Sequence, residues 1–225
     1  MNYKPIKSIL MKRLVKTLML FLFFAFPVLL TAQNLEESLS KTLTKMDSVQ
    51  NLSQMMSISA QFDMIAAKWE NEWSSNYYAA YAKTIASFIV QDNKKKDLFL
   101  DEADKYLDKI KAIDSQNDET WVLAALITNA RISVDGQNRG MQYGGIFNQY
   151  LSKAEKINPD NPRIYYLKGT SLFYTPEMYG GGKALAKPLF ERAKELFAKE
   201  ARTSVLKPNW GEKQNLDYLK QCDEK

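Results

Sequence analysis

Residues 112–121 read Ala112-Ile113-Asp114-Ser115-Gln116-Asn117-Asp118-Glu119-Thr120-Trp121, and 44 residues later residues 156–165 read Lys156-Ile157-Asn158-Pro159-Asp160-Asn161-Pro162-Arg163-Ile164-Tyr165. Each stretch ends one helical pattern, turns over a few polar residues, and opens a new pattern with an aromatic. Pro159 and Pro162 bracket the second turn, since Pro stops a helix yet is accepted in the first turn of the next. Tyr77, another 44 residues upstream, opens a third run. Self-similarity at a fixed period of this length is the mark of stacked helix pairs.

The same periodicity extends in both directions. Apolar residues at helical spacing predict helices over about Leu35–Met46, Leu52–Trp73, Tyr77–Val90, Leu98–Ile113 and Glu119–Ile132. Further helices are predicted over Ile146–Ile157, Arg163–Tyr174, Ala184–Lys199 and Gln214–Cys222. Pro188 should delay or kink the Ala184–Lys199 helix. Three stretches, 91–97, 134–145 and 175–182, read as loops because of their charge or their glycines. No run of strand length alternates with period two, so the fold class is all-α: a superhelical stack of antiparallel helix pairs.

Charge and cysteine usage narrow the function. The net charge is +5, but Lys4, Lys7, Lys12, Arg13 and Lys16 lie in residues 1–32, which hold no acidic residue. Removing these five from the 31 basic residues leaves 26 against 26 acidic ones. A neutral body has no overall field toward phosphate backbones, so nucleic acid is not an expected partner. The basic segment precedes the apolar run Leu18–Leu30 and Thr31-Ala32, the layout of a secretory signal cleaved near Ala32. Residues 33–225 are then one exported, periplasmic domain that meets the membrane only during export. An inner-membrane anchor is the alternative, and Met11 is an alternative start to Met1.

Catalytic chemistry finds little purchase. The chain has no histidine and one cysteine, Cys222, which removes His-dependent triads, His metal sites, zinc ribbons and iron–sulfur clusters. Gly180-Gly181-Gly182-Lys183-Ala184 lacks the first glycine and the Ser or Thr of a phosphate loop. Asp114–Glu119 lacks the length and glycine of a calcium loop. No enzyme, cofactor or metal is expected.

The helix pairs resemble tetratricopeptide repeats. Ala103, Leu107 and Ile110, then Phe147, Leu151 and Ala154, then Ala186, Phe190 and Ala193 follow the small–large–small pattern of that motif's second helix. Trp121 with Ala124-Ala125, Tyr165 with Lys168-Gly169 and Tyr77 with Ala80-Tyr81 match its first helix more loosely. Small residues let two helices approach and large ones fill the groove between them. The resemblance covers about residues 70–200 as three degenerate repeats, with a helical N-terminal hairpin and a C-terminal cap. The period exceeds the roughly 34 residues of the motif by about ten, and the three loops are the expected site of the excess. The segment from Tyr174 to Lys183 looks like that of uncharacterised exported bacterial members.

The resemblance implies a protein or peptide partner held on the concave face, which first helices line. Counting around those helices turns Tyr78, Asn129, Arg163, Tyr166 and Tyr174 toward it; Tyr and Arg are favoured anchors at binding surfaces. Arg139, Tyr143 and Glu177 are loop candidates. The alternative is a small-molecule-binding accessory protein of an envelope transporter or enzyme, with a pocket roofed by loops 139–145 and 174–182.

Overall fold

A computed structural model describes residues 35–201 and 203–224. The signal segment and the choice of start therefore lie outside the described residues. Among those described there is helix and no strand. Helix α1 covers residues 35–46. It is followed by α2 (Leu52–Lys68), α3 (Trp73–Ile89), α4 (Asn93–Ile113), α5 (Asp118–Val134), α6 (Gly136–Ile157) and α7 (Pro162–Tyr174). A 3-10 turn (Glu177–Tyr179) leads to α8 (Lys183–Phe197), and α9 (Glu212–Asp223) closes the chain.

Neighbours in sequence pack as neighbours in space, and α5 also touches α3 and α7 across the pairs. The core is one continuous cluster running from Leu35 to Leu167, with Phe190, Ala193 and Phe197 buried further along. The small–large pattern works as expected of it. Ala103, Ala154, Ala186 and Ala193 are buried beside Leu107, Phe147, Leu151 and Phe190. At Gly169 a β-carbon would come within 2.7 Å of the Phe190 ring, so α7 and α8 approach at a distance only glycine permits.

The turn that repeats in sequence repeats in hydrogen bonds. Asn117 and Asn161 cap α5 and α7 by accepting from the Glu119 and Arg163 amides. Asp114 and Asn158 accept from Gln116 and Asp160 two residues on. The aromatics reach back to the same carbonyl position: Trp121 Nε1 donates to Ser115 O at 2.9 Å, and the Tyr165 hydroxyl to Pro159 O at 3.0 Å.

The excess length is not where the loop reading put it. Helix α4 starts at Asn93 and α6 at Gly136, so 91–97 and 134–145 are mostly helix, and the second helices are long. Each start is capped: Asp92 accepts from the Lys95 amide and Asp135 from the Asn138 amide. Arg139 then clamps Asp97 through two bonds of 2.6 and 2.7 Å, tying the two extended ends together. These contacts offset part of the helix cost of glycine, about 1 kcal/mol per residue, and the packing of α6 along α5 adds to them. Only 175–182 remains an irregular connection. Helix α8 starts at Lys183 and runs through Pro188, which stands in its second turn; the expected late start is corrected.

Candidate functional site

The face built by α3, α5 and α7 is not an open groove. Residues 203–211 lie across it at the N-terminal ends of these helices. The Tyr78 hydroxyl donates to Lys207 O at 3.0 Å and Arg163 to Pro208 O at 2.7 Å. Trp210 Nε1 donates to the Tyr77 hydroxyl at 2.8 Å. Gly211 makes the turn into α9 with a φ of 105°, where a side chain would be strained.

Arg163 is the centre of this closure. It is fully buried. Its guanidinium donates to Glu119 at 3.0 Å and to both oxygens of Glu200 at 2.6 and 3.1 Å. Asn161 adds bonds to Asp118 and Glu119, both 2.7 Å. Burial opposes the Arg163 charge, but Glu119 and Glu200 more than offset it and hold its pKa above the ordinary guanidinium value. Burial dominates at Glu119 and raises its carboxyl pKa against the pull of Arg163. Such a cluster fixes the framework of the face, with the guanidinium enclosed by carboxyls of this chain.

Tyr78 and Arg163 stand on this face but are buried, the Tyr78 hydroxyl held by Lys207 O and the Arg163 guanidinium by Glu119, Glu200 and Pro208 O. Asn129 stands half-buried on α5, away from them. Of the loop candidates, Arg139 and Tyr143 stand on α6 rather than in a loop. Arg139 is committed to Asp97. Glu177 is exposed on the 3-10 turn.

Tyr166 and Tyr174 are brought together, through a residue the sequence reading left in the cap. Tyr218 on α9 lies 6.2 Å from the Tyr166 ring and 6.1 Å from the Tyr174 ring. These belong to a row of rings that crosses the face: Trp73, Tyr77, Tyr81, Trp210, Tyr166, Tyr218 and Tyr174. Successive centroids are 4.6, 6.5, 5.2, 6.2, 6.2 and 6.1 Å apart. Phe173 and Phe190 back the far end, each 5.1 Å from Tyr218. The row starts at half-buried Trp73, passes through the core and surfaces at its far end. Tyr77 and Tyr81 are buried, Trp210, Tyr166 and Tyr218 half-buried, and Tyr174 is 69% exposed. Offset and edge-to-face pairs of this kind hold rings rigid while leaving outer faces free.

Burial pushes the Tyr166 hydroxyl up to about 12 and that of Tyr218 well above the ordinary phenol value. Both remain neutral at physiological pH. The exposed end of the row can therefore stack on a flat apolar ligand and offer neutral hydroxyls to it. The sequence signal for Trp210 and Tyr218 was present but weak: a Trp in a Pro-Asn-Trp-Gly turn, and a Tyr 44 residues after Tyr174.

Two depressions lie away from the exposed end of the row. One of about 740 Å3 opens at the repeated turns beside the Arg163 cluster, lined among others by Trp73, Asp118, Glu119, Asn161, Glu200 and Lys207. A shallower one of about 330 Å3 lies on the α1–α2 hairpin around Lys41, Met64 and Trp69. Neither lies beneath residues 174–182, where a roofed pocket was expected. Among the described residues, no three His, Cys, Asp or Glu side chains gather to hold a metal ion. None of the described helices is long and apolar enough to cross a membrane.

Stacked helix pairs with a ring-lined face define a helical scaffold of the binding type. Residues 41–219 match the family described as regulator of microtubule dynamics protein 1-3, and the chain belongs to that family. Among solved structures it is similar to the HusA haemophore from Porphyromonas gingivalis, at 31% identity and a TM-score of 0.72. That likeness covers 85% of this chain and 92% of the haemophore. No curated protein matches it.

Proposed function

We propose that this protein is an exported, non-catalytic binding protein whose ligand is haem or a closely related planar tetrapyrrole. The observation that carries this reading is the row of rings, packed edge-to-face or tilted at this end, that surfaces at Trp210, Tyr166, Tyr218 and Tyr174. A tetrapyrrole is flat, largely apolar and wide enough to lie along several such rings. The likeness to a haemophore over most of both chains supports it, and the N-terminal basic–apolar segment supports export. The tetratricopeptide-like packing is the scaffold, with Tyr166 and Tyr174 as ligand contacts and Asn129 at the margin.

Titrating the purified protein with ferric haem tests this by absorbance. Saturable binding is expected, weakened at least about tenfold in a Tyr166→Leu/Tyr218→Leu variant that keeps its helical circular dichroism; stacking on each ring is worth about 1 kcal/mol. Linear, non-saturating absorbance would sink the reading.

A protein partner is the second reading. Met141, Met178 and Tyr179 are 91, 81 and 73% exposed, all near the ends where first helices hand over to second helices. Large exposed apolar side chains gathered at one end suit a protein contact.

A further inference from the structure

We propose that the cavity of about 740 Å3 at the repeated turns is a second binding site, and that its ligand is a short peptide with both ends charged. The cavity is reached at the Trp73 end of the ring row, away from Tyr174, and the proposal does not rest on the haem reading.

Two stretches of chain meet here without closing on each other. The repeated turns bring Asp114 and Asp118 from one repeat and Asp160 from the next, and the segment after α8 brings Lys199 and Lys207. Glu119 and Glu200 also reach the cavity, but both are paired with Arg163. The remaining charge is divided by origin: carboxylates on the turns, ammonium groups on the C-terminal segment. Opposite charges lining one cavity would gain by pairing. Yet among the described residues neither Lys199 nor Lys207 forms an ion pair, and Asp160 pairs with Arg192 instead, at 3.3 Å.

Both sides are held in place. Asp118 accepts from Asn158 at 2.9 Å and from Asn161 at 2.7 Å through the same oxygen, which leaves Oδ1 without a hydrogen bond. Asp114 accepts from the Gln116 amide through Oδ1 and keeps its other oxygen for a ligand. The backbone that carries Lys207 is pinned twice, by Tyr78 at its own carbonyl and by Arg163 at that of Pro208. Charges fixed in this way set specificity through electrostatic complementarity.

The class of ligand follows from that division. A cation alone would meet the lysines, and an anion alone the carboxylates. A molecule with an ammonium at one end and a carboxylate at the other satisfies both sides and bridges them. The volume falls within the range of about 300–1,000 Å3 usual for small-ligand sites, room for a few residues rather than one amino acid. Trp73, Leu196 and Leu206 add apolar wall for their side chains.

Isothermal titration with alanyl-leucyl-alanine tests the proposal, set against the same tripeptide acetylated at its amine or amidated at its carboxyl. Saturable binding of the free tripeptide is expected, weakened about fivefold by either block, the upper value of a partly exposed ion pair. Lys207→Gln and Lys199→Gln should reduce the preference for the free carboxyl while keeping that for the free amine. Asp118→Asn should do the reverse, and Asp114→Asn repeats that test without touching the bonds to Asn158 and Asn161. Lys41→Gln, on α1, should match the wild type. Circular dichroism checks that each variant keeps its helices. Absence of saturable binding, equal affinity for all three forms, or preferences that survive in all four cavity variants would overturn the proposal.

Discussion

Arg163 donates to Glu119 across 3.0 Å, and the two residues stand 44 positions apart in the chain, at the same place in successive repeats. Each follows its helix cap by two residues, and each amide is held by that cap. The sequence period thus appears in the structure as a buried ion pair between equivalent positions. The C-terminal segment closes over it, through Glu200 and Pro208.

Removing Arg163 should therefore be costly. Arg163→Met leaves the buried Glu119 and the half-buried Glu200 without their cation, a loss of about 3 kcal/mol. Urea unfolding at neutral pH measures it. Amide exchange should rise across residues 203–211 first, because Arg163 pins Pro208. A loss under about 1 kcal/mol would mean that the cluster does not hold the closure.

The start of α6 offers the opposite outcome. A β-carbon at Gly140 or Gly144 would meet nothing within 4 Å, and neither residue has a positive φ. Alanine there should stabilise the protein by about 0.4–1 kcal/mol per site, by narrowing the unfolded ensemble and favouring helix. Thermal unfolding of Gly140→Ala and Gly144→Ala is the check. Destabilisation would show that the two glycines serve a contact with a partner or a bend.

Asp97 gives a dependence on pH. Its hydrogen bonds to Arg139, opposed in part by burial, hold its carboxyl below the ordinary Asp value. The folded pKa lies below the unfolded one, so the stabilisation is present above about pH 4 and is lost as pH falls through the folded value. Asp97→Asn should cost about 0.5–1 kcal/mol at pH 7, the scale of a partly exposed pair. The gap from wild type should close as pH falls through the folded pKa of Asp97. A gap that is constant with pH would assign the effect to shape rather than charge.

The stack was legible because its rules are local. Spacing alone carries Ala103–Leu107–Ile110 and Phe147–Leu151–Ala154, and the caps Asn117 and Asn161 follow from their own turns. The long second helices were not legible, since four glycines in 136–145 argue for a loop. What holds them in helix comes from outside the segment: α6 packs along α5, and Arg139 meets Asp97, 42 residues away. The site shows the same division. Tyr166 and Tyr174 could be placed by counting around one helix. Tyr78 and Arg163 were placed on the correct face, but their burial depends on Lys207 and Pro208 returning across it, which no periodicity announces. Tyr218 joins the row only because α9 folds back antiparallel to α8.

Location on the ring row is the central claim, and amide hydrogen exchange with and without saturating ferric haem tests it most directly. Protection is expected at 166–174, around Trp210 and along α9 near Tyr218. Protection at the repeated turns instead, 114–119 and 158–162, or no haem-dependent protection anywhere, would contradict it.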